Sequence, residues 1–151
     1  MRNGVRLGVD VGKVRVGIAT CDPSGLLATP VVTLQRESEG VVAEVVKYAN
    51  DASAIEVVVG LPLNLSGNHT PSTEDAIAFA KEVAAAVAVP VRMIDERLTT
   101  VSAHSALRSS GKKQRGTRSV IDQVAAVMVL QHALDTERSS GKPAGIAVED
   151  L

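Results

Sequence analysis

Three acidic residues occupy positions where a carboxylate is unusual unless it has a structural or chemical role. The first, Asp10, lies within a strand-like run, where successive side chains point to opposite faces, so Gly8 and Gly12 flank it in the same row. Neighbours without side chains leave room for a bulky charged ligand to approach the carboxylate. The alternative is that Asp10 caps the turn that follows the strand.

The second carboxylate, Glu96, directly follows Asp95 at the carboxyl end of a predicted buried strand. Open α/β sheets place their ligands at the carboxyl ends of their strands. Alternation lets only one of Asp95 and Glu96 face the other site residues, and we assign this role to Glu96. Two alternatives remain: Asp95 shares or takes the role, or both residues cap the next turn or pair with Arg97.

The third carboxylate, Asp122, interrupts a helical segment that is apolar from residue 120 to 130 except for Asp122 and Gln123. A buried charge is costly unless it is paired or bound to a metal, so Asp122 needs a partner. A metal ion is one solution, and Arg118 one turn earlier is the other. The neighbours of Asp122 on its own helix face are small or apolar, namely Ala125, Ala126 and Val129.

Oxygen ligands from three separate elements suit hard divalent cations, so we predict that Asp10, Glu96 and Asp122 bind Mg²⁺ or Mn²⁺. Ions at such a site activate a water molecule and stabilise the attacking and leaving oxygens of an in-line displacement. The predicted chemistry is therefore metal-assisted hydrolysis by in-line displacement, without a protein nucleophile. The three histidines lack zinc-ligand spacing, which argues against zinc.

The elements that must position these residues follow from the hydrophobic period. It predicts strands and helices in the order βββ-αβαβ-αα, with strands at 5–11, 15–21, 27–35, 55–59 and 89–94 and helices at 39–50, 70–87, 99–109 and 117–138. This order predicts an α/β, ribonuclease H-like fold with a mixed five-stranded sheet: a three-stranded antiparallel meander, two parallel strands, and helices on both faces. We expect one domain over 1–138 and a flexible C-terminal tail over 139–151.

The net charge and the aromatic content of the chain limit how it can bind a nucleic-acid partner. The 151 residues carry a net charge of −1, so any attraction to nucleic acid must be local. The segment 108–118 contains five basic residues and no acidic one, which favours phosphate contact by Lys112, Lys113 and Arg115, although a solvated loop is the alternative. The two aromatic residues, Tyr48 and Phe79, are too few for a base-stacking surface, so the nucleic-acid backbone is the expected contact.

The cellular setting is predicted from what the sequence lacks. No segment has the pattern of a signal peptide, and no apolar run reaches membrane-spanning length. The single cysteine, Cys21, has no partner for an internal disulfide and is expected to pack in a strand, with an intermolecular disulfide as the alternative. We therefore expect a cytoplasmic protein that is not bound to a membrane.

Four sequence blocks together resemble the YqgF/RuvX family. In the family's order and spacing, they begin at Asp10, Gly60, Asp95 and Ile121, and the resemblance covers roughly residues 5–136. It implies a ribonuclease H-like fold related to RuvC resolvases, and a nuclease acting on the precursor of small-subunit ribosomal RNA or on Holliday junctions. It also implies the catalytic role of Asp10, Glu96 and Asp122.

The resemblance further implies that Lys13 and Arg97 lie near the site, where they would touch phosphate, and we add Arg15 as a candidate contact. RuvC relatives carry a second acid one helical turn from the last aspartate, where this chain has Ser119 and Ala125. The number of bound metals therefore stays open between one and two. Symmetric cutting of a four-way junction would require a homodimer.

Two other functions compete with the nuclease. An Asp10-x-Gly12 hairpin followed by Gly17 also resembles the phosphate hairpin of actin/hexokinase-like ATPases, but those proteins bind nucleotide between two such halves and this chain has one. The second competitor is a non-catalytic nucleic-acid-binding protein that has kept the three acids.

Overall fold

The computed structural model describes residues 1–97 and 117–151, and for residues 117–122 it describes the backbone only. The strands are β1 (Arg6–Val11), β2 (Arg15–Cys21), β3 (Ala28–Gln35), β4 (Glu56–Leu61), β5 (Val91–Asp95) and β6 (Ile146–Ala147). The helices in the described ranges are α1 (Val41–Asp51), α2 (Pro71–Ala86) and α3 (Thr117–Ser140), followed by a short 3₁₀ turn at Val148–Asp150. None of these helices is long and apolar enough to cross a membrane.

One mixed sheet joins all six strands in the order β3-β2-β1-β4-β5-β6. The central strand β1 pairs antiparallel with β2 and parallel with β4, and β4 pairs parallel with β5. The carboxyl ends of β1, β4 and β5 therefore lie along one edge, which we call the carboxyl edge. The predicted α/β architecture is confirmed, with six strands in place of five.

Helices cover both faces of the sheet. Side chains of β1 alternate between the two faces of the sheet. Leu7 and Val9 lie in one core layer with residues of α1 and α2, including Val45 and Phe79. The opposite face packs against α3 through a second layer of apolar residues: Val58, Ile94, Ala126, Val129 and Leu130. Gly8 and Asp10 alternate with Leu7 and Val9, so they belong to the α3 side of β1.

A glycine allows α3 to lie close to the sheet. A Cβ atom on Gly8 would stand 2.7 Å from the Cβ of Leu130 and 3.0 Å from the carbonyl oxygen of Ala126. Because both neighbours belong to a packed helix, neither has room to move away. A side chain at this position would push α3 away from β1.

The chain end over 139–151, for which we predict a flexible tail, contains regular secondary structure. Helix α3 continues to Ser140, and Ala147 then pairs with Arg92 of β5 in an antiparallel strand. The Arg92 side chain donates hydrogen bonds to the carbonyls of Ala144 and Gly145, at 2.7 and 2.6 Å. A strand of two residues is too short to show a period in sequence, which explains the missed sixth strand. The predicted helix at 99–109 and the basic segment at 108–116 lie outside the described residues.

A buried ion cluster joins the sheet to α3 at the edge opposite the carboxyl edge. Arg6, Glu56 and Glu137 are at most 3% exposed. Glu137 accepts from Arg6 at 3.0 Å and from Arg2 at 2.6 Å, and Arg2 also reaches Glu56 at 3.1 Å. Hydrogen bonds from Arg2, supported by the positive charges of Arg2 and Arg6, hold the pKa of Glu137 at about 2.

We expect Glu137→Gln to lower the free energy of unfolding at neutral pH by on the order of 3 kcal/mol, because the buried Arg6 guanidinium loses the carboxylate that pairs with it. The folded-state pKa of Glu137, about 2, lies below its ordinary 4.5, so its stabilisation is complete above about pH 4.5 and is lost as the pH falls toward 2. The difference between wild type and variant should shrink over that interval in chemical denaturation curves.

The matched control is Asp135→Asn, which removes an exposed carboxylate from the same helix, where it pairs with Arg138. Exposed pairs contribute little, so this variant should change the free energy of unfolding by less than about 1 kcal/mol at any pH. A Glu137→Gln deficit that stays constant from pH 7 to pH 2 would contradict the assigned pKa shift.

Candidate active site

Asp10 and Glu96 meet at the carboxyl edge. Asp10 is the penultimate residue of β1 and lies opposite Gly17 of β2. Glu96 directly follows β5, where its backbone N–H donates to the carbonyl of Leu61 at 3.3 Å. The Glu96 side chain is partly buried, and its carboxyl group is hydrogen-bonded to that of Asp10. Two acids from different strands therefore share one small volume.

The electrostatics of this pair favour one bound proton. Burial, which is the largest cause, acts together with the charge of Asp10, the hydrogen bond to Asp10 and the charge of Asp95 to raise the pKa of Glu96 to about 9. Two carboxylates in contact repel each other when both are ionised, so a proton or a cation must lie between their oxygens. The donor set consists of hard oxygen ligands, which fits Mg²⁺ or Mn²⁺.

Gly60 of β4 makes room for Glu96. A Cβ atom on Gly60 would stand 2.0 Å from Oε2 of Glu96 and 3.3 Å from Cγ2 of Val129 in α3. Any side chain here would displace the Glu96 carboxyl group or α3. The sequence assigns Gly60 to a block of the family resemblance but predicts no site role for it. The available signal was a glycine at the end of a strand whose preceding three residues are all valine.

Asp95 has a different partner. It pairs with Arg97 through Nη2 at 2.5 Å and Nε at 2.9 Å, and these hydrogen bonds lower the pKa of Asp95. Arg97 also donates from Nη1 to the carbonyl of Leu65 at 3.4 Å. One alternative from the sequence was that Asp95 and Glu96 both pair with Arg97. In the structure Asp95 makes this pair, whereas Glu96 contacts Asp10.

Asp122 belongs to the first half of α3, the helix that covers the sheet face carrying Asp10. One turn after Asp122, the carbonyl of Ala126 lies against Gly8, and Val129 lies against Gly60. The side chain of Asp122 lies outside the described part of the chain, so its role as a third metal ligand stays a prediction. Among the described side chains, no group of three or more histidine, cysteine or acidic residues is placed to hold a metal.

The predicted phosphate-binding cations occupy different surroundings. Lys13 is exposed in the turn between β1 and β2, and Arg15 at the start of β2 is partly buried. Hydrogen bonds from Arg36 lower the pKa of Asp75, and the charge of Lys13 adds to this effect. Arg97 pairs with Asp95 as described. The remaining candidates lie outside the described residues: Lys112, Lys113 and Arg115.

Arg36 connects the turn after Asp10 to α2. It donates to the carbonyl of Gly12 at 2.9 Å and makes two hydrogen bonds of 2.8 Å to the carboxylate of Asp75. Its guanidinium also lies 5.0 Å from the centre of the Phe79 ring. These contacts join residues that are far apart in the chain, and sequence periodicity carries no signal for them.

Comparison with known proteins gives a consistent result. A family model described as "RuvX: Holliday junction resolvase" matches residues 4–136. A protein from Leifsonia xyli is 54% identical over 153 aligned residues, covering 99% of this chain and 97% of its own length. One from Clavibacter michiganensis is 55% identical, with coverages of 98% and 93%. Both are named "Putative pre-16S rRNA nuclease".

Among solved structures, RuvC from T. thermophilus in complex with a Holliday junction substrate resembles this fold. Its TM-score is 0.58 at 17% sequence identity, and the match covers 93% of this chain and 99% of that one. A second structure, of Thermus thermophilus RuvC, has a TM-score of 0.54 at 15% identity. At these identities the likeness concerns the fold alone, and it agrees with the ribonuclease H-like architecture predicted from the element order.

We expect Gly60→Ala to reduce phosphodiester cleavage by about tenfold or more, because the new methyl group overlaps Glu96 and misplaces its carboxyl group. The free energy of unfolding should fall by about 1 to 3 kcal/mol from overpacking. Cleavage rates and denaturation curves, measured on the same preparation, check both effects.

The matched control is Gly8→Ala, which introduces the same methyl group against the same helix without contacting Glu96. It should destabilise the fold to a similar extent while retaining more activity at temperatures where both variants are folded. Equal loss of activity in the two variants would show that α3 packing, and not the Glu96 position, limits cleavage.

Proposed function

The chain belongs to the RuvX family, and from this premise we propose that it is a divalent-metal-dependent endonuclease in which Asp10, Glu96 and Asp122 hold the metal. The observation that carries the proposal is the hydrogen-bonded pair of Asp10 and Glu96 at the carboxyl edge. A carboxyl pair in this position has little structural purpose, because each group weakens the other's preferred ionised state.

The residues around the pair support a role in phosphodiester hydrolysis. Asp10 and Glu96 would bind the cation through carboxylate oxygens, with Asp122 approaching from α3. When bound, Mg²⁺ or Mn²⁺ supplies an activated water and stabilises the charge that develops on the leaving oxygen. Gly60 makes room for the Glu96 carboxyl group, and the residue of β2 opposite Asp10 is Gly17, which has no side chain.

Basic side chains would hold the nucleic-acid backbone across this edge. Lys13, Arg15 and Arg97 are the proposed contacts within the described residues, and Lys112, Lys113 and Arg115 are proposed from the sequence. Phosphate contacts position a substrate without reading its bases. The net charge of −1 means that such contacts act locally.

We propose the 5′ region of pre-16S ribosomal RNA as the substrate and the cytoplasm as the location. Support comes from relatives about half identical over nearly the whole chain that carry the pre-16S rRNA nuclease name. A four-way DNA junction is the other candidate, supported by the description of the family model. Its symmetric cutting would need two sites, and hence a homodimer.

The deciding experiment compares a pre-16S RNA fragment, a four-way DNA junction and a linear duplex as substrates of one preparation, with the mass in solution measured alongside. Site-specific cutting of the RNA fragment by a monomer supports the proposed substrate. Paired symmetric nicks in the junction by a dimer would show that branched DNA, and not the RNA, is the substrate. Failure to cut any of the three would overturn the proposed activity.

We expect Asp10→Asn, Glu96→Gln and Asp122→Asn each to lower the cleavage rate by about a hundredfold or more, because each removes a charged ligand of the metal. Unfolding curves should show that the variants remain folded. Asp95→Asn is the matched control, since Asp95 is an acid adjacent to Glu96 that pairs with Arg97. Its activity should stay within about tenfold of wild type. Full activity in the Asp10 variant would exclude this mechanism.

Removal of divalent cations should abolish cleavage. We expect EDTA to stop the reaction, Mg²⁺ or Mn²⁺ in excess to restore it, and Ca²⁺ to restore little, because its larger and looser coordination misplaces the attacking water. Initial rates with each cation check the prediction. An unchanged rate in EDTA would rule out metal catalysis.

A further inference from the structure

The loop between β4 and α2, residues 62–70, is held in one compact form, and we call it the site loop. The side chain of Asn64 accepts hydrogen bonds from the backbone N–H groups of Ser66 and Asn68, at 3.0 and 2.8 Å. The Asn64 N–H donates to the carbonyl of Asn68 at 3.1 Å, and Gly67 closes the turn with φ +82°. This network fixes the tip of the loop.

Contacts outside the site loop attach it to the carboxyl edge. Arg97, the residue after Glu96, donates to the carbonyl of Leu65 at 3.4 Å. A Cβ atom on Gly67 would lie 3.2 Å from Nη1 of Arg97, so loop and guanidinium are closely packed. At the other end, the Thr73 hydroxyl of α2 donates to the carbonyl of Pro62. The loop is thus fixed beside the candidate active site.

The site loop presents an apolar side chain to solvent. Leu65 is 90% exposed, whereas the next most exposed large apolar residue in the described ranges is Leu26 at 63%. Single exposed leucines are common and need no explanation alone. Leu65 differs because its backbone is held by hydrogen bonds beside the active site, so contact with a ligand would cost little conformational entropy. Leu26 lies between β2 and β3, at the opposite edge of the sheet.

The chemistry of the substrate indicates what Leu65 would contact. Nucleic acid offers apolar surface mainly as base faces, which become accessible when a base leaves its stack. The two aromatic residues of the chain belong to the α1 and α2 layer: Phe79 lies in its core and Tyr48 packs against it. An aliphatic side chain must therefore supply any apolar base contact at the carboxyl edge, in the way that leucine wedges act in other nucleic-acid-binding proteins.

We propose that Leu65 is a substrate-binding residue that packs against an unstacked nucleobase next to the phosphodiester held at Asp10 and Glu96. This inference rests on the proposed nuclease function and adds a base contact to the phosphate contacts already described. The site loop holds Leu65 in position, and Arg97, the residue after Glu96, anchors the loop through its hydrogen bond to the Leu65 carbonyl.

The test measures binding without cleavage. Full-length wild type and Leu65→Ser are titrated in EDTA against the pre-16S RNA fragment and the four-way DNA junction, each carrying 2-aminopurine beside the cut position. We expect Leu65→Ser to weaken affinity for the substrate that is cut by about five- to tenfold, the loss typical of one partly buried leucine contact. The rise in 2-aminopurine fluorescence on binding should also be smaller.

Two further variants separate a base contact from a structural effect. Leu65→Phe should bind at least as tightly as wild type, because an aromatic ring stacks on a base. Leu26→Ser, an exposed leucine at the opposite edge, should bind like wild type. The slope of log affinity against log salt should be the same for Leu65→Ser and wild type, since no phosphate contact is lost.

The outcomes distinguish this inference from the function on which it rests. A wild-type chain that neither binds nor cuts either substrate would overturn the proposed function, and the base contact with it. A wild-type chain that binds and cuts, combined with unchanged affinity and fluorescence in Leu65→Ser, would overturn the base contact alone. Weaker binding by Leu26→Ser to the same extent would also overturn it, because the effect would not be specific to the site loop.

Discussion

Two carboxyl groups held in contact are the constraint around which this structure is arranged. With both groups ionised, Asp10 and Glu96 would repel each other, because burial and like charge both oppose the ionisation of Glu96. The sheet prevents separation, since β4 pairs with both β1 and β5 and fixes the relative positions of their ends. The rigidity of the central strands therefore maintains an electrostatically unfavourable arrangement that a cation would relieve.

Glycines adapt the rest of the fold to this arrangement. Gly8 lets α3 approach β1, and Gly60 lets Glu96 fold back over β4. Bulkier residues at either position would move α3 outward, and Asp122 lies on that helix. The packing of α3 against the sheet therefore also determines where Asp122 lies. The far end of the same helix is anchored by the ion cluster around Glu137.

The sequence predicts much of this fold because its signals are local. The alternation in β1 and the apolar runs of β4 and β5 identify the strands, and the glycine row around Asp10 marks the position of an acid. Alternation also lets only one of Asp95 and Glu96 face the other acids. The strand β6 and the Arg36 contacts could not be predicted in this way, since one is two residues long and the other joins distant segments. Contacts of this kind leave no periodic pattern in a single sequence.

The short strand β6 also affects how the protein behaves when concentrated. Exposed sheet edges invite pairing with other chains and lead to aggregation. On one side of the sheet, β6 covers part of β5. On the other side, the outermost strand β3 contains Pro30, which has no N–H to donate to an incoming strand. The pairing of β2 with β3 is also irregular next to this proline, between Ile18 and Ala19. Each edge strand of the described sheet thus has a feature that hinders the addition of a further strand.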